Sequence, residues 1–157
     1  MWEVLQHARW VTALATSRPL YGLVSVIHYS AMFLCVGTIV LRDLRILGIA
    51  DRHQPLSALA AQLRPWTWIG FGAVVVSGFL LFAVEAVGFA AAAPYRIKML
   101  ILVFAVMSAL AIEWRVPTWD RARVMPVTAR LVAVISLLLW LGAILVSVEI
   151  PALTGLG

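Results

Sequence analysis

Charged side chains are scarce in this sequence. Only 12% of its 157 residues are Asp, Glu, Lys or Arg, whereas 64% are hydrophobic. A soluble domain is about 25% charged and about half apolar, so the shortage excludes an ordinary soluble domain. The mean hydropathy of +1.02 points the same way. The composition is typical of an integral membrane protein, and the length predicts a single domain over residues 1–157.

Motifs of the common enzyme classes are also missing. The chain has one cysteine, Cys35, which excludes an intrachain disulfide. It has no Cys-x-x-Cys pair, metal-binding histidine pair or glycine-rich phosphate loop, so we expect no enzyme activity from this chain alone. The net charge of +5 is spread through the chain without a Lys/Arg-rich block, which argues against nucleic-acid binding. The first residues do not resemble a cleavable signal peptide.

Long apolar runs are what the sequence does contain. A membrane core about 30 Å thick is crossed by about 20 apolar residues of helix, and four runs reach or approach that length. Since only helices and closed barrels satisfy their backbone polar groups in lipid, the runs predict an all-α bundle of four transmembrane helices. A proline lies at the predicted start of each helix. The predicted spans are 19–46, 66–88, 95–114 and 127–150, preceded by an amphipathic interfacial helix over 1–17.

The basic residues predict an orientation. Eight flank the two connections on one side of the membrane, and four lie on the other side. Cytoplasmic segments carry the excess of Lys and Arg, so we expect both termini in the periplasm of a bacterial inner membrane. The first set is Arg42, Arg45, Arg52, Arg64, Arg115, Arg121, Arg123 and Arg130; the second is Arg9, Arg18, Arg96 and Lys98.

One face of the first predicted helix is polar. Its members follow one another at helical spacings of three or four residues and therefore share a face. Lipid favours the apolar side chains on the other faces, so this stripe should face the bundle interior. His28 would lie about 13 Å below the start of the helix, close to mid-membrane. The stripe consists of Tyr21, Ser25, His28, Met32 and Cys35.

The stripe contains groups that bind metals. His28, Met32 and Cys35 offer an imidazole, a thioether and a thiolate, which suit copper(I) or haem iron. For haem b, Met107 on the third predicted helix lies nearest the depth of His28 and is the candidate second ligand. An ionisable residue at this depth marks a candidate functional site.

A structural role for the same residues is the alternative. His28 can donate a hydrogen bond to Ser77 or Ser108 on a neighbouring helix, and methionine and cysteine pack well in apolar interiors. Glu85 pairs with Lys98 or Arg96 in this interpretation or lines a polar pocket above His28. The predicted pocket consists of Tyr21, Ser25, Ser77, Glu85, Lys98 and Ser108.

Several short motifs resemble a bacterial family of small four-helix inner-membrane proteins of unknown function. They are the first-helix His28, the run Leu-Arg-Asp-Leu-Arg-Ile-Leu-Gly at 41–48, Leu-Arg-Pro-Trp at 63–66, Gly-Phe-Leu-Leu-Phe at 78–82 and Tyr-Arg-Ile-Lys at 95–98. The resemblance covers residues 19–114. A more distant resemblance is to copper-resistance proteins and small redox membrane subunits. The chain departs from the family pattern at Ala93-Pro94 and at Ser108, where asparagine is usual.

Together these features support two main hypotheses. The first is a redox or electron-transfer subunit that binds haem b or copper through His28. The alternative is a non-catalytic structural or assembly subunit that contacts the lipid bilayer and other membrane subunits, or a second copy of itself. A small permease is less favoured because intramembrane charge is scarce.

Overall fold

The computed structural model describes residues 1–50, 53–122 and 124–154, with side chains described as far as Val148. Every helix or strand assigned in those ranges is an α-helix. Arg52 and Arg123, which belong to the predicted charge count, lie outside the described residues. The helices are α1 (Trp2–Gln6), α2 (Arg9–Thr16), α3 (Arg18–Leu47), α4 (Leu56–Val84), α5 (Ala86–Ala91), α6 (Ala93–Asp120) and α7 (Val127–Thr154).

Four helices are long and apolar enough to cross a membrane. They are α3, α4, α6 and the Val127–Val148 part of α7. Their length and composition confirm the predicted all-α bundle of four transmembrane helices. The chain is a multi-pass membrane protein.

Two of the four spans extend well beyond their predicted limits. α4 begins at Leu56 rather than at residue 66, so that Pro65 lies inside the helix and not in its first turn. Proline removes one backbone hydrogen bond, but the helix continues because Leu56 and Ala60 are buried in the core. α6 likewise continues past residue 114 and includes Pro117. Its added turn buries Trp119 in the same cluster.

The second span also ends earlier than predicted, and the N-terminal segment is divided. α4 stops at Val84 instead of residue 88, and α5 follows as a separate short helix. In place of one helix over 1–17, α1 and α2 meet at a break around Ala8, whose backbone is extended. α1 packs against α5, and α2 packs against α3 and α4. The Gln6 Oε1 accepts a hydrogen bond from the Val87 N–H at 3.0 Å.

The four spans form a ring. α3 packs most extensively on α4 and α6 on α7, while α3–α7 and α4–α6 contacts complete the circle. We call the end that carries α1, α2 and α5 the terminal end, and the end with residues 48–55 and 121–126 the loop end. An apolar cluster of Cys35, Ile39, Ala105 and Trp140 lies between the four helices, and a second one, built around Ile46, Leu56, Ile112 and Trp119, lies at the loop end.

α3 and α4 approach each other most closely at Gly70. A Cβ atom at this position would lie 2.9 Å from the Cys35 backbone nitrogen and 3.1 Å from the Ala31 carbonyl oxygen. Only glycine fits without displacing one helix. Small residues commonly allow this kind of close approach where membrane helices cross. Gly70 therefore fixes the α3–α4 distance that brings the polar side chains of the two helices together.

The loop end is held by two capping arrangements. Gly48 ends α3 in the left-handed conformation, with φ of 79°, and its N–H bonds to the Arg45 carbonyl at 3.1 Å. Asp120, at the end of α6, caps the start of α4: its Oδ1 accepts the Leu56 N–H at 2.9 Å, and its Oδ2 accepts the Ser57 hydroxyl. These bonds join α6 to α4 where the helices leave the bundle.

Candidate functional site

His28 faces α4 and contacts Ser77. Its Nδ1 lies 3.0 Å from the Ser77 Oγ. The Ser77 hydroxyl itself donates to the Ala73 carbonyl, one turn back in α4, at 2.5 Å. With the Ser77 hydrogen directed to Ala73, an imidazole protonated on Nδ1 can donate to the Ser77 Oγ. The backbone of Val74, also on α4, lies within hydrogen-bonding range of the His28 ring.

The His28 ring is also fixed by packing. A Cβ atom at Gly78 would lie 3.0 Å from the His28 Cε1, so the ring rests directly on the α4 backbone. Tyr29 contacts it edge-to-face, with ring centroids 5.9 Å apart. The expected hydrogen bond between His28 and Ser77 is therefore present, and it joins α3 to α4 in the terminal half of the bundle.

The predicted metal ligands are not brought together around His28. Cys35 is buried in the apolar cluster with Ile39 and Trp140, about 10.5 Å along the helix axis from His28. Met32 lies half-buried between them. Met107 is 62% exposed on the outer surface of α6 and does not face His28. Among the described residues, no group of three or more His, Cys, Asp or Glu side chains could hold a metal ion.

The predicted polar pocket is only partly assembled. Ser25 and Ser108 donate their hydroxyls to carbonyls of their own helices, Tyr21 and Ala105, and not to His28. Lys98 is close enough to His28 to interact electrostatically, and its ammonium lies 6.0 Å from the Tyr95 ring centroid.

Glu85 does not form the expected ion pair. Within the described residues its carboxylate has no salt bridge to Arg96 or Lys98. It lies between α4 and α5, interacts electrostatically with Tyr21, and has one buried oxygen without a hydrogen-bond donor. Among the described residues Glu85 therefore forms no ion pair with either cation, and it occupies the break between α4 and α5.

The densest polar cluster of the bundle lies instead toward the loop end. Arg42 and Asp43, adjacent on α3, are both buried. The Arg42 Nε and Nη2 donate to the Asp43 Oδ1 at 3.0 and 2.9 Å. Ser136 on α7 neighbours the same carboxylate, although no hydrogen bond of normal geometry joins them. This pair places opposite charges inside the membrane-spanning part of the chain, where such groups pair with one another.

Glu113 on α6 connects Arg42 with a second arginine. Its Oε2 lies 3.7 Å from the Arg42 Nη1, and its Oε1 accepts a hydrogen bond from the Arg64 Nε on α4. Arg42 also donates to the Ala109 carbonyl at 3.3 Å. We call Arg42, Asp43, Arg64 and Glu113 the charge cluster. It joins three helices, and its formal charges sum to zero.

A hydroxyl pair lies next to the charge cluster. The Thr67 hydroxyl on α4 contacts the Thr38 Oγ1 on α3 at 2.8 Å, and Thr38 donates to the Cys35 carbonyl at 2.8 Å. A cavity of about 40 Å³ opens between this pair, Arg42, Glu113 and the indole of Trp140. Together these groups form the most polar interior region that the structure describes.

Sequence reasoning did not identify the charge cluster, although one signal was available. The stripe that contains His28 and Cys35 continues at the same spacing to Ile39, Arg42 and Ile46, all of which are buried. Extending it by two steps would have placed Arg42 inside the bundle and not in the connection. Its pairing with Glu113 is set by the packing of α3 near α6 and has no sequence signal.

Four apolar spans around buried, mutually paired polar groups define a polytopic helical-bundle membrane protein. Residues 16–150 match the model of a family described as Family of unknown function (DUF6644), and the chain belongs to that family. No curated protein and no solved structure matches the chain.

Proposed function

We propose that this protein is a non-catalytic subunit that assembles with other helices in a bacterial inner membrane through the exposed face of α3. The proposal rests on a set of small or polar residues on that face that make no close contact with other parts of the chain. The face is defined by Gly22, Ser30 and Gly37, which recur at intervals of eight and seven residues and therefore share one side of the helix.

The two glycines leave open space. A Cβ atom at Gly22 or Gly37 would meet nothing within 4 Å, unlike one at Gly70. Glycine lowers helix stability relative to alanine by roughly 1 kcal/mol, so glycines that serve no close contact within the chain need another reason. A close approach by a helix of another chain supplies that reason, since small residues mark membrane helix contacts.

Ser30 supports the same proposal. Its hydroxyl is exposed near the middle of α3, and the described residues offer it no hydrogen bond. The half-buried Ser25, Ser108 and Ser147 differ, because each donates to a carbonyl of its own helix. A hydroxyl left without a partner in lipid costs free energy, and a neighbouring helix removes that cost.

The internal pairing of the charge cluster supports the non-catalytic part of the proposal. Asp43 is fully buried, and each charged side chain of the cluster contacts an opposite charge on the same or a neighbouring helix. Such groups join α3, α4 and α6 inside the bundle, and they leave the outer face of α3 available for assembly.

The mass of the protein in lipid nanodiscs tests this proposal. We expect native mass spectrometry to show species heavier than the 17.2 kDa monomer, as a homo-oligomer or with co-purified membrane subunits. Gly37→Leu should return the chain to the monomeric mass because it fills the α3 face. Val103→Leu, at an exposed position of α6, is the matched control and should leave the assembly intact. A wild-type chain that is monomeric after gentle extraction from its own membrane would overturn the proposal.

A haem-binding redox subunit is the second candidate, and one observation favours it. Histidines that bind metals are oriented by a hydrogen bond at the other ring nitrogen, and the contact between the His28 Nδ1 and Ser77 would supply such a bond if Nε2 were the ligand. Haem held there would supply electron transfer. Because Met107 is directed outward, the second ligand would come from another chain. Copper is not favoured, since Cys35 and His28 lie too far apart along one helix to share an ion.

An absorption spectrum of the purified protein decides between these candidates. A Soret band that His28→Leu abolishes and Ser25→Ala retains would establish the redox subunit. A colourless preparation that contains no copper after purification from copper-supplemented cells would reject it. For either candidate we propose an orientation with both termini in the periplasm, supported by the greater number of arginines at the loop end.

A further inference from the structure

The cavity beside Trp140 has polar walls in an otherwise apolar bundle. Its volume is about 40 Å³, and Thr38, Thr67, Arg42 and Glu113 contribute the polar part of its lining. We propose that this cavity is a hydrated site that holds bound water molecules and opens sideways between α4 and α6 near Arg64, in the loop half of the bundle. The hydration of this cavity is independent of whether the outer face of α3 contacts another chain.

An unpaired donor indicates that the cavity contains a ligand. Trp140 is only 6% exposed and lines the cavity, yet its indole Nε1 has no hydrogen-bond partner in the described structure. A buried donor without an acceptor costs about 1–3 kcal/mol, and almost all such groups in native proteins are paired with protein or with ordered water. An acceptor inside the cavity that Trp140 lines would satisfy the indole N–H.

The size and charge of the cavity identify that acceptor as water. A bound water molecule needs at least roughly 10–15 Å³ of such volume, so about three molecules fit. Arg42 and Arg64 are balanced by Asp43 and Glu113, which gives the site no net preference for an anion or a cation. Water also matches the mixed lining, because it donates to Glu113 and the threonine oxygens and accepts from Trp140 and the guanidinium groups.

The cavity has one accessible side. Arg64 is 58% exposed on its side chain and lies at the edge of the lining, as does the exposed Trp68. In the opposite direction the apolar cluster of Cys35, Ile39, Ala105 and Trp140 closes the bundle. Water can therefore enter between α4 and α6 near Arg64 and reach Cys35, but the path ends there. The result is an aqueous recess in the loop half of a membrane bundle.

The single cysteine provides a direct probe of this recess. Cys35 lines the cavity, and its S–H stretch is the only one in the protein. After transfer of the protein in nanodiscs to D2O, we expect the infrared S–H band to convert to S–D as soon as the first spectrum is recorded. The matched control is Cys35→Ala combined with Ala133→Cys, which moves the thiol into the fully apolar cluster at the loop end. There the band should persist.

Radiolytic hydroxyl-radical labelling tests the site without a substitution. Radicals formed from bound water label adjacent side chains even when these are buried. Trp140 should be labelled markedly faster than Trp119, which is 8% exposed but lies in the apolar cluster. Slow exchange of the Cys35 thiol, equal to that of the control thiol, together with equal labelling of the two tryptophans, would overturn the proposal. Fast exchange at Cys35 alone, with Trp140 unlabelled, would also overturn it, because the indole would then not contact the water.

Discussion

Arg42 on α3 and Glu113 on α6 lie 3.7 Å apart across the centre of the bundle, between helices that do not pack extensively on each other. Arg42 spans this gap because Asp43 and the Ala109 carbonyl orient its guanidinium group. Each of these contacts lies inside the apolar spans, where an isolated charge is costly and a paired one is tolerated. Together with the hydrogen bond from Arg42 to the Ala109 carbonyl, this ion pair links two helices that otherwise pack mainly on α4 and α7.

Removal of the Arg42 charge should destabilise the bundle strongly. Arg42→Met leaves the buried Asp43 carboxylate without its counter-ion, and breaking a buried pair from one side costs about 3–5 kcal/mol. The double variant Arg42→Met/Asp43→Leu removes both charges and should recover most of that loss, since apolar replacement of a buried pair is often neutral. Steric-trap unfolding in bicelles measures the free energy of unfolding. A double variant no more stable than the single one would contradict this assignment of the pair.

The close approach at Gly70 predicts that alanine substitutions at Gly70 and Gly72 change the free energy of unfolding by different amounts. Gly70→Ala places a methyl group 2.9 Å from the Cys35 nitrogen and must displace α3 or α4, at a cost of about 1–3 kcal/mol. Gly72→Ala adds the same group where nothing lies within 4 Å, so the free energy of unfolding should be unchanged or slightly higher. The pair is compared by thermal unfolding in detergent. Equal effects at the two positions would show that α3 and α4 do not touch at Gly70.

The number of spans could be predicted from the sequence, but their limits could not. Apolar runs such as that of α3 are dictated by the membrane and are visible in composition alone. The start of α4 was missed because Pro65 has the appearance of a first-turn residue. The nine helical residues before it stay helical because Leu56 and Ala60 are buried against α6 and α7, and that burial is a property of the tertiary structure.

The candidate site was predictable in part for similar reasons. A polar stripe on one helix is a local pattern, so the inward direction of His28 and its bond to Ser77 followed from spacing and depth. The partners of Arg42 lie 67 and 71 residues away, at Ala109 and Glu113, and only the crossing of the helices brings them close. Arg42 was interpreted as a residue of the connection because it directly follows the apolar run that ends at Leu41.

The contact between His28 and Ser77 should have a modest effect on stability. His28→Leu and Ser77→Ala each remove one interhelical hydrogen bond, which in membrane proteins is worth about 0.6 kcal/mol on average. The double-mutant cycle should give a coupling free energy of that size because the two residues contact each other directly at 3.0 Å. Ser108→Ala is the matched control, since Ser108 bonds only within its own helix, and it should show no coupling to His28→Leu. A coupling free energy of zero would show that His28 and Ser77 do not form a stabilising hydrogen bond.

The Asp120 cap predicts a local effect at the start of α4. Asp120→Ala removes the acceptors of the Leu56 N–H and the Ser57 hydroxyl, and loss of such a cap costs about 0.5–2 kcal/mol. Asp120→Asn keeps one carbonyl acceptor and should lose less. Hydrogen–deuterium exchange should increase in the first turn of α4 and remain unchanged around Gly70. If exchange increases equally along the whole of α4, Asp120 is not a local cap.

The proposed orientation predicts which face of the membrane each connection occupies. We expect a cysteine introduced as Gln54→Cys, between α3 and α4, to react with a membrane-impermeant maleimide only when the cytoplasmic side is exposed. Leu5→Cys in α1 should react from the periplasmic side of intact cells. Both variants are made with Cys35→Ala, which removes the native thiol, and that parent is the control for background labelling. This orientation is expected because basic residues are in excess around the loop end, and segments rich in Lys and Arg stay on the cytoplasmic side. Labelling of Gln54→Cys, but not of Leu5→Cys, in intact cells would show that the orientation is the opposite of the one proposed.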